Sequence, residues 1–183
     1  MRFALFLPAL SLLALGTQRA AAQATGLAPL PLTAPKAITR GAALTEAQAA
    51  QLLRATRLFY SFWNTGDMRY AEAATAPDFR DNTLPPGRPQ GRAGLKAASQ
   101  GFLKAVPDLK CSVEEVVLTP EKVVTRLLFT GHNTGPFGKH PASGKAVRFI
   151  AIDILHIRGG KIVEDWHLED NLTFQQQIGA VQP

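Results

Sequence analysis

Asp153 and His167 lie in the stretch DILHIRGGKIVEDWHLEDNLTFQQQIG, residues 153–179, and their side chains are of the types that pass a proton between them. A neutral imidazole oriented by a carboxylate is a competent general base near neutral pH, and its conjugate acid protonates an oxyanion. Either residue can therefore be the base with the other as its partner, and at this point both assignments stay open. The structural alternative is a satisfied buried carboxylate beside an ordinary hairpin histidine. Asn82 is a candidate to polarise a substrate carbonyl, with Asp81 holding it in place or pairing with an arginine. An Asx turn ahead of Pro85 is the plainer reading of that pair. Trp63, Phe59, Phe102 and Trp166 are the aromatic candidates for a substrate-binding wall, and each could equally be core.

These residues need a hairpin to bring them together. Ala146–Arg158 and Lys161–Glu169 read as strands joined at Gly159-Gly160. A simple two-residue turn pairs Arg158 with Lys161 and sets Asp153 opposite Trp166, which leaves His167 on the other face. One extra residue beyond the turn restores Asp153 and His167 to a common face, so a bulge or a longer loop is predicted here. The first of these strands is apolar on both sides: Val147, Phe149, Ala151, Leu155 and Ile157 on one, Ile150, Ile152 and Ile154 on the other. Such a strand is expected to be central in its sheet, with a helix layer over one face and a cavity or partner over the other. His156 falls on the face away from Asp153. Asp170 is placed to cap a closing helix from Asn171.

Upstream, Thr45 and Gln48 form a capping box for a first helix with an apolar stripe that includes Leu52, Leu58, Phe59, Phe62 and Trp63. Gly66 suits its end and Asp67 caps a short second helix. Phe79–Thr83 reads as extended, Arg92–Ala105 as a third helix, and Lys110–Leu118 and Lys122–His132 as strands around Thr119-Pro120-Glu121. Helices followed by an antiparallel meander and a terminal helix predict an α+β fold, with helices on one face of a curved sheet.

The chain has 183 residues. Residues 1–24 read as a secretory signal peptide: Arg2, an apolar run from Phe3 to Leu15, then Ala20-Ala21-Ala22. A periplasmic or secreted location follows from that reading. The run is shorter than the ~20 residues a membrane span needs, so no membrane association is expected after cleavage. Residues 25–43, rich in Ala, Pro, Thr and Gly, read as a flexible leader, and residues 44–183 as one domain. The net charge of +6 arises from scattered lysines and arginines, which argues against a nucleic-acid partner. Cys111, the only cysteine, precludes an intrachain disulfide and reads as a small buried hydrophobe. The four histidines lack metal-site spacing, and there is no phosphate-binding glycine loop and no serine nucleophile elbow, so no metal is expected.

The fragments FWNTGD (62–67), APDF (76–79), GHNTGPFGKHPASGK (131–145), IDILHIRGGKIVEDWHLEDN (152–171) and QQIG (176–179) occur in an order and spacing that resemble the SnoaL-like polyketide cyclases, or ester cyclases, of the NTF2-like superfamily. The resemblance runs from Leu58 to Gly179. It implies a cone-shaped curved antiparallel sheet with helices closing a pocket. It also implies acid/base chemistry without metal or organic cofactor, in which an Asp and a His near the last hairpin close a ring by intramolecular aldol condensation. Here His167 stands where those cyclases carry the Asp, and Asp153 where they carry the His, so the two residue types are exchanged. The glycine loop also departs, with His132 displaced by one position.

The function expected is acid/base catalysis on a small carbonyl or polyketide-like compound in an apolar pocket. Two alternatives belong to other classes. One is a non-catalytic module binding a small ligand, since the scaffold is widely reused. The other is a hydrolase of the epoxide-hydrolase type, for which Arg148 or Arg126 would have to stand near Asp153. By analogy with the superfamily, a homodimer through the exposed sheet face is a possible assembly.

Overall fold

The computed structural model describes residues 32–182. The expected signal peptide, residues 1–24, lies outside the described residues. From its described part, residues 32–43, the leader is tied to the domain. Ile38–Arg40 forms an edge strand, β1, and Lys36 N–H donates to the carbonyl of Val113. This corrects the expectation of a flexible leader to residue 43: three prolines prevent a helix, but they leave Ile38–Arg40 free to add to a sheet edge.

Helix α1 spans Glu46–Thr65 and begins with the expected capping box, the Thr45 side chain accepting from Gln48 N–H. Gly66 ends it in the left-handed conformation, with φ 69°. Asp67 caps α2, Met68–Ala74, and the chain passes directly into β2, Thr75–Asp81. Helix α3 is Arg92–Ala105. The meander follows as β3 (Lys110–Leu118), β4 (Lys122–His132), β5 (Ala146–Arg158) and β6 (Lys161–Glu169). Helix α4, Asn171–Gln177, closes the domain, and Asp170 caps it by accepting from Thr173 N–H.

The six strands form one open sheet in the order β1-β3-β4-β5-β6-β2. The meander β3–β6 is antiparallel throughout, while β1 and β2 add in parallel at the two edges. The concave face carries Val113, Val116, Val123, Leu127, Phe149 and Leu155 against Leu58, Phe59, Tyr60 and Phe62 of α1, all buried. Burying such side chains stabilises a fold by roughly 1.5–3 kcal/mol each. Cys111 is buried among them.

Strand β5 is central, as its composition requires, but its second apolar face is bare: Ile150, Ile152 and Ile154 are between 37% and 46% exposed. Among the described residues the helices pack only on the other side. The loop from Asn133 to Lys145 is held to α3 through the Asn133 side chain, which donates to the Ala105 carbonyl and accepts from Ser143 N–H. Gly135 lies so close to α3 that a Cβ there would come within 1.9 Å of the Lys104 carbonyl oxygen.

Candidate active site

The β5–β6 hairpin positions the chemistry. Next to the Gly159-Gly160 turn, Arg158 pairs with Lys161 and Ile157 with Ile162, and then the register shifts so that His156 pairs with Glu164. Val163 is the extra residue. Beyond this bulge Asp153 stands opposite His167, as the sequence predicts, and both face inward. Alternation then sends Asp165, His167 and Glu169 of β6 to the concave side and Trp166 and Leu168 to the convex one. Strand β2 runs alongside β6 with Asp81 in register with Asp165.

These side chains line one cavity together with Trp63, Leu95, Phe102, Phe129, Phe149 and Arg88. The space among these side chains, with the open solvent at its mouth counted in, is about 570 Å³. One wall is ionisable and the other aromatic. Phe129 and Phe149 stack with ring centres 5.1 Å apart, and Trp63 meets Phe129 edge-on at 6.4 Å.

The partner of His167 is not Asp153. Both ring nitrogens are already committed: Nε2 lies 3.1 Å from both carboxylate oxygens of Asp81, and Nδ1 lies 2.9 Å from Oε1 of Glu169. Burial works against a charge on the ring, but the two carboxylates outweigh it and hold the imidazolium up to about 11. In return the imidazolium lowers both Asp81 and Glu169 against the opposing effect of burial. At neutral pH this is an imidazolium between two carboxylates, so His167 is not available as a base. That removes one of the two assignments left open by the sequence. With both nitrogens acting as donors, the ring also has no lone pair to offer a metal, and among the described residues no group of three or more His, Cys, Asp or Glu is arranged to hold one.

Asp153 is different. It is 5% exposed, and its Oδ2 accepts a hydrogen bond of 2.8 Å from the Tyr60 hydroxyl of α1. The same hydroxyl contacts Thr125 on β4, which pairs with Asp153 across the sheet. Burial pushes the Asp153 carboxyl up, while the Tyr60 hydrogen bond and the His167 charge pull it down, and the balance leaves it at about 7. Its Oδ1 has no hydrogen-bond partner among the described residues. A carboxylate with a free oxygen toward a cavity and a pKa near the working pH fits a general base.

Several of the other expectations need correction. Asn82 does not border the cavity; Asp81, one residue earlier, takes the inward position of β2, and the Asn82 amide nitrogen is buried without a partner among the described residues. Phe59 is 1% exposed and belongs to the core rather than to the wall. Trp166 is on the convex face, where the Lys122 ammonium lies 5.5 Å above its ring. Trp63 and Phe102 do line the cavity. Arg148 and Arg126 are exposed, so neither can stand beside Asp153 as the hydrolase reading requires. His156 is buried outside the site, between Glu164 and Glu121.

The sequence analysis missed Tyr60 and Glu169, and it gave Asp81 the lesser role. Glu169 is two residues from His167 and hence on its face, a signal that strand alternation alone supplies. Tyr60 lies on a helix far away in sequence, and its contact depends on how α1 crosses the sheet.

The profile of the SnoaL-like polyketide cyclases matches residues 53–178. No curated protein matches the chain. Among solved structures, a polyketide cyclase candidate from Bacillus cereus is 43% identical, with 82% of this chain and 95% of that one covered and a TM-score of 0.75. IdmH from Streptomyces antibioticus, described as a cyclase candidate of the same kind, is 28% identical over 68% of this chain and 96% of its own, with a TM-score of 0.61. A protein from Catenulispora acidiphila with a ketosteroid isomerase-like fold, solved with trimethylamine, is 14% identical over 70% of this chain and 97% of its own, at a TM-score of 0.56, and shows the likeness of fold alone. The cone-shaped α+β sheet and the match over residues 53–178 agree, and the chain belongs to the SnoaL-like polyketide cyclase family.

Proposed function

We propose that this protein is an acid/base catalyst that removes a proton next to the carbonyl group of a small, largely apolar, polyketide-like compound, with Asp153 as the base. The observation that carries this reading is the state of the two candidate residues. His167 is tied up as an imidazolium between Asp81 and Glu169, and Asp153 keeps a free oxygen at the cavity with a pKa near neutrality. The aromatic wall of Trp63, Phe102, Phe129 and Phe149 supplies the apolar surface for the substrate. His167 acts at a distance: its fixed positive charge favours the ionised form of Asp153 and stabilises negative charge developing on the substrate.

The test is exchange of α-hydrogens for deuterium in a panel of cyclic and acyclic diketones, followed by NMR. Wild type accelerates the exchange and Asp153→Asn does not. Equal rates with the two proteins would end the reading. The lack of a hydrogen bond between Asp153 and His167 favours a second reading, a module that binds such compounds without turnover. Binding with no exchange in wild type is its signature.

We propose further that the chain is exported through residues 1–24, on the sequence alone. Intact mass of the protein from the periplasm or medium tests it. A homodimer through the bare convex face at Ile150, Ile152 and Ile154 is proposed on their exposure, with sedimentation of wild type against Ile152→Glu as its test.

A further inference from the structure

We propose that the Asp165 carboxyl forms an oxygen-binding subsite of the cavity, donating a hydrogen bond to the carbonyl oxygen of the substrate, and to the enolate oxygen that replaces it, while Asp153 holds the carbon side. The inference rests on the reading of Asp153 as the base and adds where the substrate oxygen sits.

Geometry is the starting point. Asp165 borders the same cavity as Asp153, although it is only 3% exposed. Its Oδ1 is buried with no hydrogen-bond partner among the described residues. Buried polar atoms are normally satisfied, and a carboxyl without a partner on a cavity wall is free to bond a polar group of a ligand there. On β6 it is two residues from His167, which faces Asp153, so Asp165 is the diagonal neighbour of Asp153 across the hairpin. Diagonal positions are about 7–8 Å apart along the backbone, and one small functional group spans them.

The surroundings of Asp165 decide what it can offer. Leu155 is opposite on β5 and Asp81 beside it on β2. The groups facing it are therefore Tyr60 from α1, Asp81 from β2, Asp153 from β5, and His167 and Glu169 from its own strand. Burial, and next the neighbouring Asp153, push the Asp165 carboxyl well above the carboxylate range. A neutral carboxyl has an O–H to donate, and a buried one is kept neutral so that it can.

The proton balance closes with these two groups. The α C–H bond breaks and its proton passes to Asp153 Oδ1. The electron pair of that bond moves through the new C=C bond to the oxygen, which becomes an enolate. Asp165 keeps its own proton and shares it with this oxygen as charge builds there. When the enolate carbon attacks an electrophilic carbon and a ring closes, the proton on Asp153 is available to the new alkoxide. The ligand class is thus an enolisable ketone or ester, and a phenol is a stable mimic of its enol form. A phenol can donate to Asp153 and accept from Asp165 at once.

The experiment uses the full chain, with 4-nitrophenol as the probe and 4-nitroanisole as the ether control, followed by calorimetry. Wild type binds the phenol more tightly than the ether. Asp165→Leu, which removes the donor and fills the space with apolar atoms, weakens the phenol by about 10-fold or more. Asp165→Asn keeps a donor and stays within about threefold of wild type. The part of the protonated-carboxyl infrared signal that Asp165→Asn removes is the Asp165 band, and in wild type it moves to lower frequency on binding the phenol. This last measurement needs no well-folded leucine variant. Unchanged phenol affinity in Asp165→Leu, equal losses in the leucine and asparagine variants, no phenol binding by wild type, or a carboxyl band that ignores the ligand would each overturn the proposal. Failure of the Asp153 reading has a different appearance: Asp153→Asn then leaves deuterium exchange intact, while the Asp165 variants still change phenol binding.

Discussion

The Tyr60 hydroxyl, from the middle of α1, donates to Oδ2 of Asp153 on β5 across 2.8 Å. This one contact joins the helix layer to the strand of the proposed base and lowers the pKa of the carboxyl that burial raises. Tyr60→Phe keeps the ring and removes the donor. The pKa of Asp153 then moves further above 7, and the rise in rate with pH moves to higher pH by roughly one unit. A pH–rate profile of the α-hydrogen exchange reads it. A loss of stability of about 1 kcal/mol accompanies the shift, and an unmoved profile contradicts the role given to Tyr60.

Asp153 itself has opposite effects on rate and stability. Asp153→Asn lowers the exchange rate by about 10²–10⁴-fold, the range for loss of a general base. Its pKa rises from 3.8 to about 7 on folding. The folded state thus holds the proton more tightly, and the stability associated with that proton is complete below pH 3.8 and lost as the pH climbs through 7. Asparagine has no such loss. The variant is therefore the more stable protein above pH 7, by an amount on the order of a few kcal/mol, and the difference shrinks toward pH 4. Urea unfolding at pH 4 and pH 8 checks the sign.

His167 is predicted to keep its proton throughout the neutral range. Its pKa is raised from 6.5 to about 11, so its stabilisation is complete below 6.5, declines as the pH rises beyond that, and is gone once the pH passes 11. Asp81 and Glu169 have lowered values and lose their share as the pH falls below the ordinary carboxylate range. Nitrogen-15 NMR should show both ring nitrogens protonated from pH 5 to pH 9. His167→Gln leaves two carboxylates facing each other and costs about 3 kcal/mol, more than Asp153→Asn costs at any pH.

Gly135→Ala is a test of the loop. The new Cβ would fall 1.9 Å from the Lys104 carbonyl oxygen, so the loop must lift from α3. Phe137 packs from that loop at a tilt on Phe102, itself part of the cavity wall, and edge-on against Phe174 of α4. A loss of roughly 1–3 kcal/mol in thermal or chemical unfolding is expected, with weaker ligand binding. A melting curve like that of wild type would show that the loop is not held as tightly as described.

Much of the fold is legible in the sequence because its signals are local. Thr45 with Gln48, Asp67 and Asp170 each announce a helix start, and the four long strands fall where alternation and turns place them. The bulge is legible for another reason: Asp153 and His167 share a face only if one residue is extra. What stays hidden depends on contacts between distant segments. Tyr60 and Asp153 are separated by 93 residues. Asp81 reaches His167 because β2 crosses back to the far edge of the sheet, and nothing near Asp81 in the chain reports that. The edge strand Ile38–Arg40 was hidden by composition, since a proline-rich tail looks alike whether or not a neighbouring strand receives it.

Val163, the unpaired residue of the hairpin, has no chemistry of its own, yet the facing of every side chain after it depends on its staying out of the ladder. Were it instead paired regularly with His156, Glu164, Trp166 and Leu168 would turn toward the interior, and Asp165, His167 and Glu169 would turn out to solvent, with no residue of the cavity replaced. Relatives whose register differs at this spot should therefore differ in reactivity more sharply than relatives that differ at many positions elsewhere.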